Sequence, residues 1–217
     1  IVALDHVLHD MRLFKSRAEV DTMREAARIA AQAHVRAMRA CAPGRYEYEI
    51  AAEIVHEFRM HNADLSYLPI VGGGANSCIL HYRENDARLH DGDILLIDAG
   101  CEVECYASDI TRTFPVNGRF TPAQLALYEI VLEANYWNEP HEAAVRVITQ
   151  GLVKAGLLKG RVAKLEETGA YRKFFMHRTG HWLGMDVHDV GDYKIGDEWR
   201  VFEPGMALTI EPGIYVA

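Results

Sequence analysis

The sequence is short of cysteine, of basic charge and of long apolar runs, and each shortage closes off a class of protein. Only four cysteines, at positions 41, 78, 101 and 105, occur in 217 residues. Cys101 and Cys105 are near enough for one bridge across a turn, but no second pair at zinc-ligand spacing accompanies them. Reduced thiols in a cytoplasmic protein are therefore the expected state. Lys and Arg number 23 against 31 Asp and Glu, a net charge of −8, which argues against nucleic acid or an anionic membrane surface as partner. No apolar run approaches the roughly 20 residues that span a bilayer. The opening stretch, IVALDHVLHDMRLFKS, lacks the basic and apolar regions of a signal peptide, and it does not begin with methionine; a fragment or processed form is expected. The glycine triplet 72–74 lacks the lysine and hydroxyl residue of a phosphate-binding loop. No short repeat is present. What remains is a globular composition, 49% hydrophobic, in a chain long enough for a substantial core.

The stretch that organises the rest is Asp91 to Phe114, DGDILLIDAGCEVECYASDITRTF. A turn signal precedes the apolar run Ile94–Ile97, which ends on Asp98; a second β-like run passes through Tyr106, Ile110, Thr111 and Thr113. Two such runs around a short loop predict a β-hairpin. With its loop between Val103 and Glu104, Asp98 and Asp109 face each other across the ladder. Like charges there repel, and an aspartate closing an apolar run is costly to bury unpaired. A multivalent cation between them removes both costs. The other reading leaves both at strand ends facing water, and a bulge would break the symmetry.

Around this hairpin the pattern predicts helices and strands in alternation. Ser16 and Glu19 form a capping box for a helix over Lys15–Met38, with Val20, Met23, Ala27, Ala30 and Ala31 at helical spacing. Cys41-Ala42-Pro43-Gly44 ends it, and a second helix over Glu47–Asn62 carries Ile50, Ile54, Val55 and Phe58. A short strand enters the glycine triplet as a tight turn, and Cys78–Tyr82 reads as a strand carrying His81. Thr121 caps a third helix with Pro122 at its first position, and a fourth runs from about Asn138 to Gly156. Gly160–Gly169 reads as a charged surface connection.

Near the C-terminus, FFMHRTGHWLGMDVHD places three histidines, His177, His181 and His188, among glycines and a tryptophan. His177 and His181 would share a face if helical, but Gly180 and Gly184 argue for an irregular turn. Met206–Glu211 alternates as a strand and, like the run at Asp98, ends in an acid. Two aspartates, imidazoles and a glutamate at strand or turn ends make an oxygen-rich donor set. It suits Mn2+, Co2+, Fe2+ or Zn2+, and such sites favour metal-assisted hydrolysis.

These residues carry a family resemblance. CILHYREND, DGDILLIDAGCEVECYASDITRTFPVNGRF, GLVKAGLLKG, FFMHRTGHWLGMDVHDVGDY and EPGMALTIEPGIYVA, in this order and over nearly the whole chain, resemble the catalytic domain of the pita-bread metallopeptidases, most closely the aminopeptidase P family. The resemblance implies an α/β (α+β) fold: a pseudo-symmetric, curved, mostly antiparallel sheet covered by helices, with residues 1–217 as one catalytic domain. It implies two divalent metal ions, Mn2+ foremost with Co2+ or Zn2+ as alternatives, held by Asp98, Asp109, His181 and Glu211. Asp109 would bridge the two ions, Asp98 would bind one and His181 the other. His81, His177 and His188 would orient substrate, hydrogen-bond its carbonyl and shuttle protons; Tyr67 would line the substrate pocket, with Trp182 nearby. The implied reaction releases the N-terminal residue from a peptide with proline in second position, by attack of a hydroxide that bridges the metals. A cytoplasmic homo-oligomer is implied, with no nucleic-acid or membrane partner. An Xaa-Pro dipeptidase of the same fold and a non-catalytic interaction module are the alternatives. The chain departs from the family pattern in three places. The family's fifth ligand, a second glutamate, would lie beyond Ala217; the family's N-terminal domain would precede Ile1; and Leu132–Asn138 joins two family helices abruptly, as if residues were missing there.

Overall fold

The computed structural model describes residues 4–134 and 140–216. The suspected junction at Leu132–Asn138 falls mostly outside them. Three helices come first: α1 (Asp5–Leu13), which the sequence pattern did not announce, α2 (Arg17–Ala40) and α3 (Glu47–Met60). Ser16 and Glu19 do form a capping box at the start of α2. The buried stripe of α2 is Ala26, Ile29, Ala30, Ala33, His34 and Ala37. Ala27 and Ala31, expected in that stripe, are exposed. Small side chains along it let α2 lie close against α3 and the sheet.

The strands are β1 (Asp64–Leu65), β2 (Ile70–Gly73), β3 (Ile94–Ala99), β4 (Cys101–Val103), β5 (Tyr106–Ala107) and β6 (Ile110–Pro115). They form two antiparallel three-stranded sheets, β2-β3-β6 and β1-β4-β5. Along β3 burial alternates: Leu95, Ile97 and Ala99 join the helices of the first core, while Ile94, Leu96 and Asp98 face the other way. That alternation puts Asp98 on the sheet face away from α2 and α3.

The hairpin forms, but its register corrects the expected pairing. Val103 pairs with Tyr106, so the two-residue loop is Glu104-Cys105, one residue later than the pattern indicated. Moving the centre of a hairpin by one residue moves every cross-strand partner by two. Asp98 is therefore opposite Thr111, and Asp109 falls opposite Gly100. The two carboxylates share a face as a diagonal pair, a wider spacing than direct opposition. At Gly100 a Cβ would stand 1.7 Å from the Ser108 carbonyl oxygen, so the strands close at this point only because position 100 has no side chain.

Helices α4 (Pro122–Ala134), α5 (Pro140–Lys154) and α6 (Val162–Glu167) follow. They contribute to a second core that contains Ala134, Ala144, Ile148, Leu152 and Phe175. The presence of α6 corrects the reading of Gly160–Gly169 as a mere connection. Cys78–Tyr82 is not a strand either: a 3-10 turn spans Gly74–Cys78, and His81 sits in a turn with φ +55°. Met206–Glu211 makes no named strand, yet it is hydrogen-bonded to the histidine segment. Ala207 O accepts from Leu183 N at 3.0 Å, Thr209 N donates to His181 O at 2.9 Å, and Glu211 N donates to Thr179 O at 2.7 Å. A small hairpin of β7 (Lys194–Ile195) and β8 (Glu198–Trp199) lies between the histidine segment and Met206–Glu211, and all four cysteines are free.

Candidate metal centre

Asp109 stands between β5 and β6, and its two carboxylate oxygens look two ways. Oδ1 accepts from the Tyr67 hydroxyl at 2.7 Å, and that same hydroxyl lies against Asp98 Oδ1. Oδ2 is 3.3 Å from His181 Nε2, which is also 3.2 Å from Glu211 Oε1. Asp109, His181 and Glu211 each present a donor atom, all within 4.8 Å of one another. Asp98 stands outside this trio, on the Tyr67 side of Asp109.

The orientation of each donor is fixed locally. His181 donates its Nδ1–H to the Trp182 carbonyl at 2.9 Å, which selects the tautomer and turns Nε2 towards the carboxylates. Thr209 accepts from His181 N at 3.0 Å and donates its hydroxyl to Glu211 Oε1 at 2.6 Å, so one side chain sets both. Burial lowers the His181 pKa, but its hydrogen bonds to Asp109 and Glu211 outweigh that and push it up to about 10. Asp98 is pushed up to about 6, first by burial and then by the charges of Asp109 and Glu211, against the relief from the Tyr67 hydroxyl. Acids gathered this closely around one imidazole nitrogen want a cation. Two hard carboxylates and one imidazole fit a divalent metal of the Mn2+, Co2+ or Zn2+ type. The opposed oxygens of Asp109 could serve two such ions, one on the Asp98 side and one on the His181–Glu211 side.

The remaining histidines spread outwards. The His188 ring lies on that of His181, centroids 4.0 Å apart, and its pKa is lowered by burial and by the neighbouring imidazole. His81 is exposed, on the side of His188. His177 is held apart from the trio: Nδ1 donates to the Arg178 carbonyl at 2.7 Å and Nε2 accepts from the Tyr215 hydroxyl at 3.0 Å. The segment from 177 to 188 is irregular, as its glycines indicated. Trp182 is 2% exposed and stacks on Tyr193, ring centroids 5.2 Å apart. Sequence reasoning missed Thr209 and Tyr215. Thr209 had a signal, since it alternates onto the same face as Glu211.

It also missed Glu47, a fully buried carboxylate. Glu47 accepts from Gly73 N, Asn76 Nδ2, the Tyr82 hydroxyl and Ala87 N, at 2.7 to 3.1 Å. It thereby ties down both ends of the loop that carries His81.

Comparison with known proteins follows the same lines. The profile of metallopeptidase family M24 matches residues 21–217. The Xaa-Pro aminopeptidase of Escherichia coli is 53% identical over 223 residues, 97% of this chain and 50% of its own length. The mouse Xaa-Pro dipeptidase is 38% identical over 235 residues, 95% of this chain and 48% of its own. The solved structure of Pseudomonas aeruginosa aminopeptidase PepP superposes with a TM-score of 0.97 at 62% identity, covering all of this chain and 52% of that one. At that likeness the pita-bread arrangement of helices and antiparallel sheet is the fold of this chain too. The chain spans about half the length of the curated relatives it matches. With the profile running through every donor of the centre, from Asp98 to Glu211, the chain belongs to metallopeptidase family M24.

Proposed function

We propose that the full-length protein is a metal-dependent Xaa-Pro aminopeptidase, removing the first residue from peptides whose second residue is proline. The observation that supports this most is the way Asp109 turns one oxygen to the Tyr67 hydroxyl, which also touches Asp98, and the other to His181 beside Glu211, in a chain 53% identical to an Xaa-Pro aminopeptidase. Asp98, Asp109, His181 and Glu211 would hold two divalent ions, Mn2+ in the first instance, and the rest of the full-length protein would supply a second bridging carboxylate. When bound, the ions polarise the scissile carbonyl and lower the pKa of an attacking water.

The chain's own residues do the positioning and the proton work. Tyr67 sets its hydroxyl between the carboxylates of Asp98 and Asp109, its one proton shared between them, and holds them in place. Glu211, oriented by the Thr209 hydroxyl at 2.6 Å, would serve as a metal ligand. His188, whose ring lies on that of His181, would present a ring nitrogen to a substrate carbonyl, with His81 on the same side. His177, backed by Tyr215, orients the peptide and relays protons further out. The four free thiols support the cytoplasm as its compartment, and the family resemblance supports a homo-oligomer.

An Xaa-Pro dipeptidase is the second reading, since one is 38% identical. The test is an assay of the full-length protein, after chelation and then with added Mn2+, Co2+ or Zn2+, on an Xaa-Pro-Yaa tripeptide, an Xaa-Pro dipeptide and a Met-Ala peptide. Metal-dependent cleavage of the tripeptide is expected. Cleavage of the dipeptide alone would make it a dipeptidase, and no turnover with any metal would leave an interaction module.

A further inference from the structure

We propose that the buried Lys15–Asp189 ion pair is the positioning device for the two imidazoles of the centre, His181 and His188. This rests on the metal-centre reading above and extends it to residues more than 170 positions apart in sequence. The side chains of Lys15 and Asp189 are 1% and 0% exposed, with Nζ 3.3 Å from Asp189 Oδ2. Arg12 Nη2 donates to the other oxygen, Oδ1, at 2.5 Å, and the backbone N of Val190 donates to it at 3.0 Å. The carboxylate is thus fully engaged, which fixes its backbone as well.

That backbone is where the pair reaches the centre. Asp189 N donates at 3.0 Å to the Trp182 carbonyl, the same oxygen that accepts the Nδ1–H of His181. His188 is the neighbouring residue and lies on His181. Shifting Asp189 moves the acceptor that sets the tautomer and direction of one ring, and carries the other ring with it. Over the pair, Gly184 closes the loop: a Cβ there would stand 2.0 Å from Asp189 Oδ2 and 2.8 Å from Lys15 Cε. The Gly184 carbonyl accepts from Ala107 N at 2.8 Å, two residues before Asp109. Lys15 holds a third segment through its own backbone, donating its N–H to the Gly205 carbonyl at 2.8 Å, on the approach to Glu211. One lysine ahead of α2 therefore joins the segments that carry His181, His188 and Glu211. Partners outside the direct ligands of a metal commonly govern its affinity tenfold or more.

The test uses the full-length protein and its variants Lys15→Met, Asp189→Asn and the double variant. The readouts are Mn2+ affinity by titration calorimetry and the visible absorption spectrum of the Co2+ form, which reports ligand geometry. Each single variant is expected to weaken Mn2+ binding about 10- to 100-fold and to alter the Co2+ spectrum. The double variant should be no worse than the poorer single, because both act through one contact. Arg12→Gln, at the partly exposed end of the cluster, should weaken binding several-fold and serves if Lys15→Met fails to fold. Folded variants that bind Mn2+ as the parent does, or single effects that multiply in the double variant, would overturn the proposal. A merely structural role would lower the melting temperature and leave affinity and spectrum unmoved. Failure of the peptidase assignment is separately visible, as a parent that binds Mn2+ and cleaves no Xaa-Pro peptide.

Discussion

His34 shows how a single side chain can set the acid limit of the fold. It lies on the buried stripe of α2, 2% exposed, where the first helices meet the sheet. Its Nδ1 donates to the Ala30 carbonyl at 2.9 Å, one turn back, and its Nε2 is buried without a hydrogen-bond partner. Burial holds its pKa below the ordinary 6.5. The unfolded chain therefore takes up a proton below about pH 6.5 that the folded chain refuses, and stability falls as the pH falls. Replacing the imidazole by a leucine removes both the titration and the orphaned nitrogen. His34→Leu should be more stable than the parent, with the gap widening between about pH 7.5 and about pH 5 in urea denaturation. A gap that stayed constant or closed on acidification would show that the imidazole protonates without cost in the folded state.

At the same scale the residues of the centre were legible from sequence where their chemistry jars with their surroundings. An aspartate ending an apolar run, a glutamate ending an alternating one, and histidines among glycines all stand out, and Asp109, His181 and Glu211 do converge. Lys15 and Asp189 gave no such sign. A lysine next to a helix cap and an aspartate in a polar loop read as solvated charges, and only the fold brings them together and buries them.

Among the elements, the hairpin between β4 and β5 was read correctly in kind and wrongly in register, for a local reason. Its two loop residues, Glu104 and Cys105, both have positive φ, +48° and +68°. That is the conformation of a two-residue type I′ turn, which Asn-Gly signals and Glu-Cys does not. The strands and the Gly100–Ser108 closure overrule the local preference. Other elements were lost for similar reasons. Cys78–Tyr82 has the composition of a strand, but the hydrogen bonds gathered by Glu47 fold its surroundings into turns. The strand expected at Met206–Glu211 is extended without a full ladder.

The cost of the turn can be tested directly. A non-glycine residue in the left-handed region costs about 1–2 kcal/mol, of which glycine gives back about 0.5–1 kcal/mol through its greater freedom when unfolded. Cys105→Gly should therefore stabilise by roughly 0.5–1 kcal/mol with no change in the metal centre. The measurement is the denaturation midpoint of variant and parent at equal slope. A variant no more stable than the parent would mean the turn is held without strain by its neighbours.

For the whole molecule, the centre is a place where stability has been traded for function. Asp98 comes from the sheet packed on the first core and Asp109 from the link just before its strand β6, while His181 and Glu211 belong to the irregular segments that follow the second. Holding these acids together without a metal works against folding, most plainly at Asp98, whose carboxyl is driven up to about 6 by burial and by Asp109 and Glu211. A cation that binds only the folded form reverses the sign of that contribution, adding about 2.7 kcal/mol at a hundred times its dissociation constant. Asp98→Asn separates the two regimes, because it removes a charge while keeping the shape and an oxygen for the Tyr67 hydroxyl. In excess chelator the variant should melt at a higher temperature than the parent, by a few degrees for about 1 kcal/mol. In saturating Mn2+ the order should invert, since the parent gains from a metal that the variant holds poorly. Scanning calorimetry of both full-length proteins under both conditions reads the four melting temperatures. Equal Mn2+-induced shifts in parent and variant would place Asp98 outside the coordination sphere and leave Asp109, His181 and Glu211 as a site for one ion.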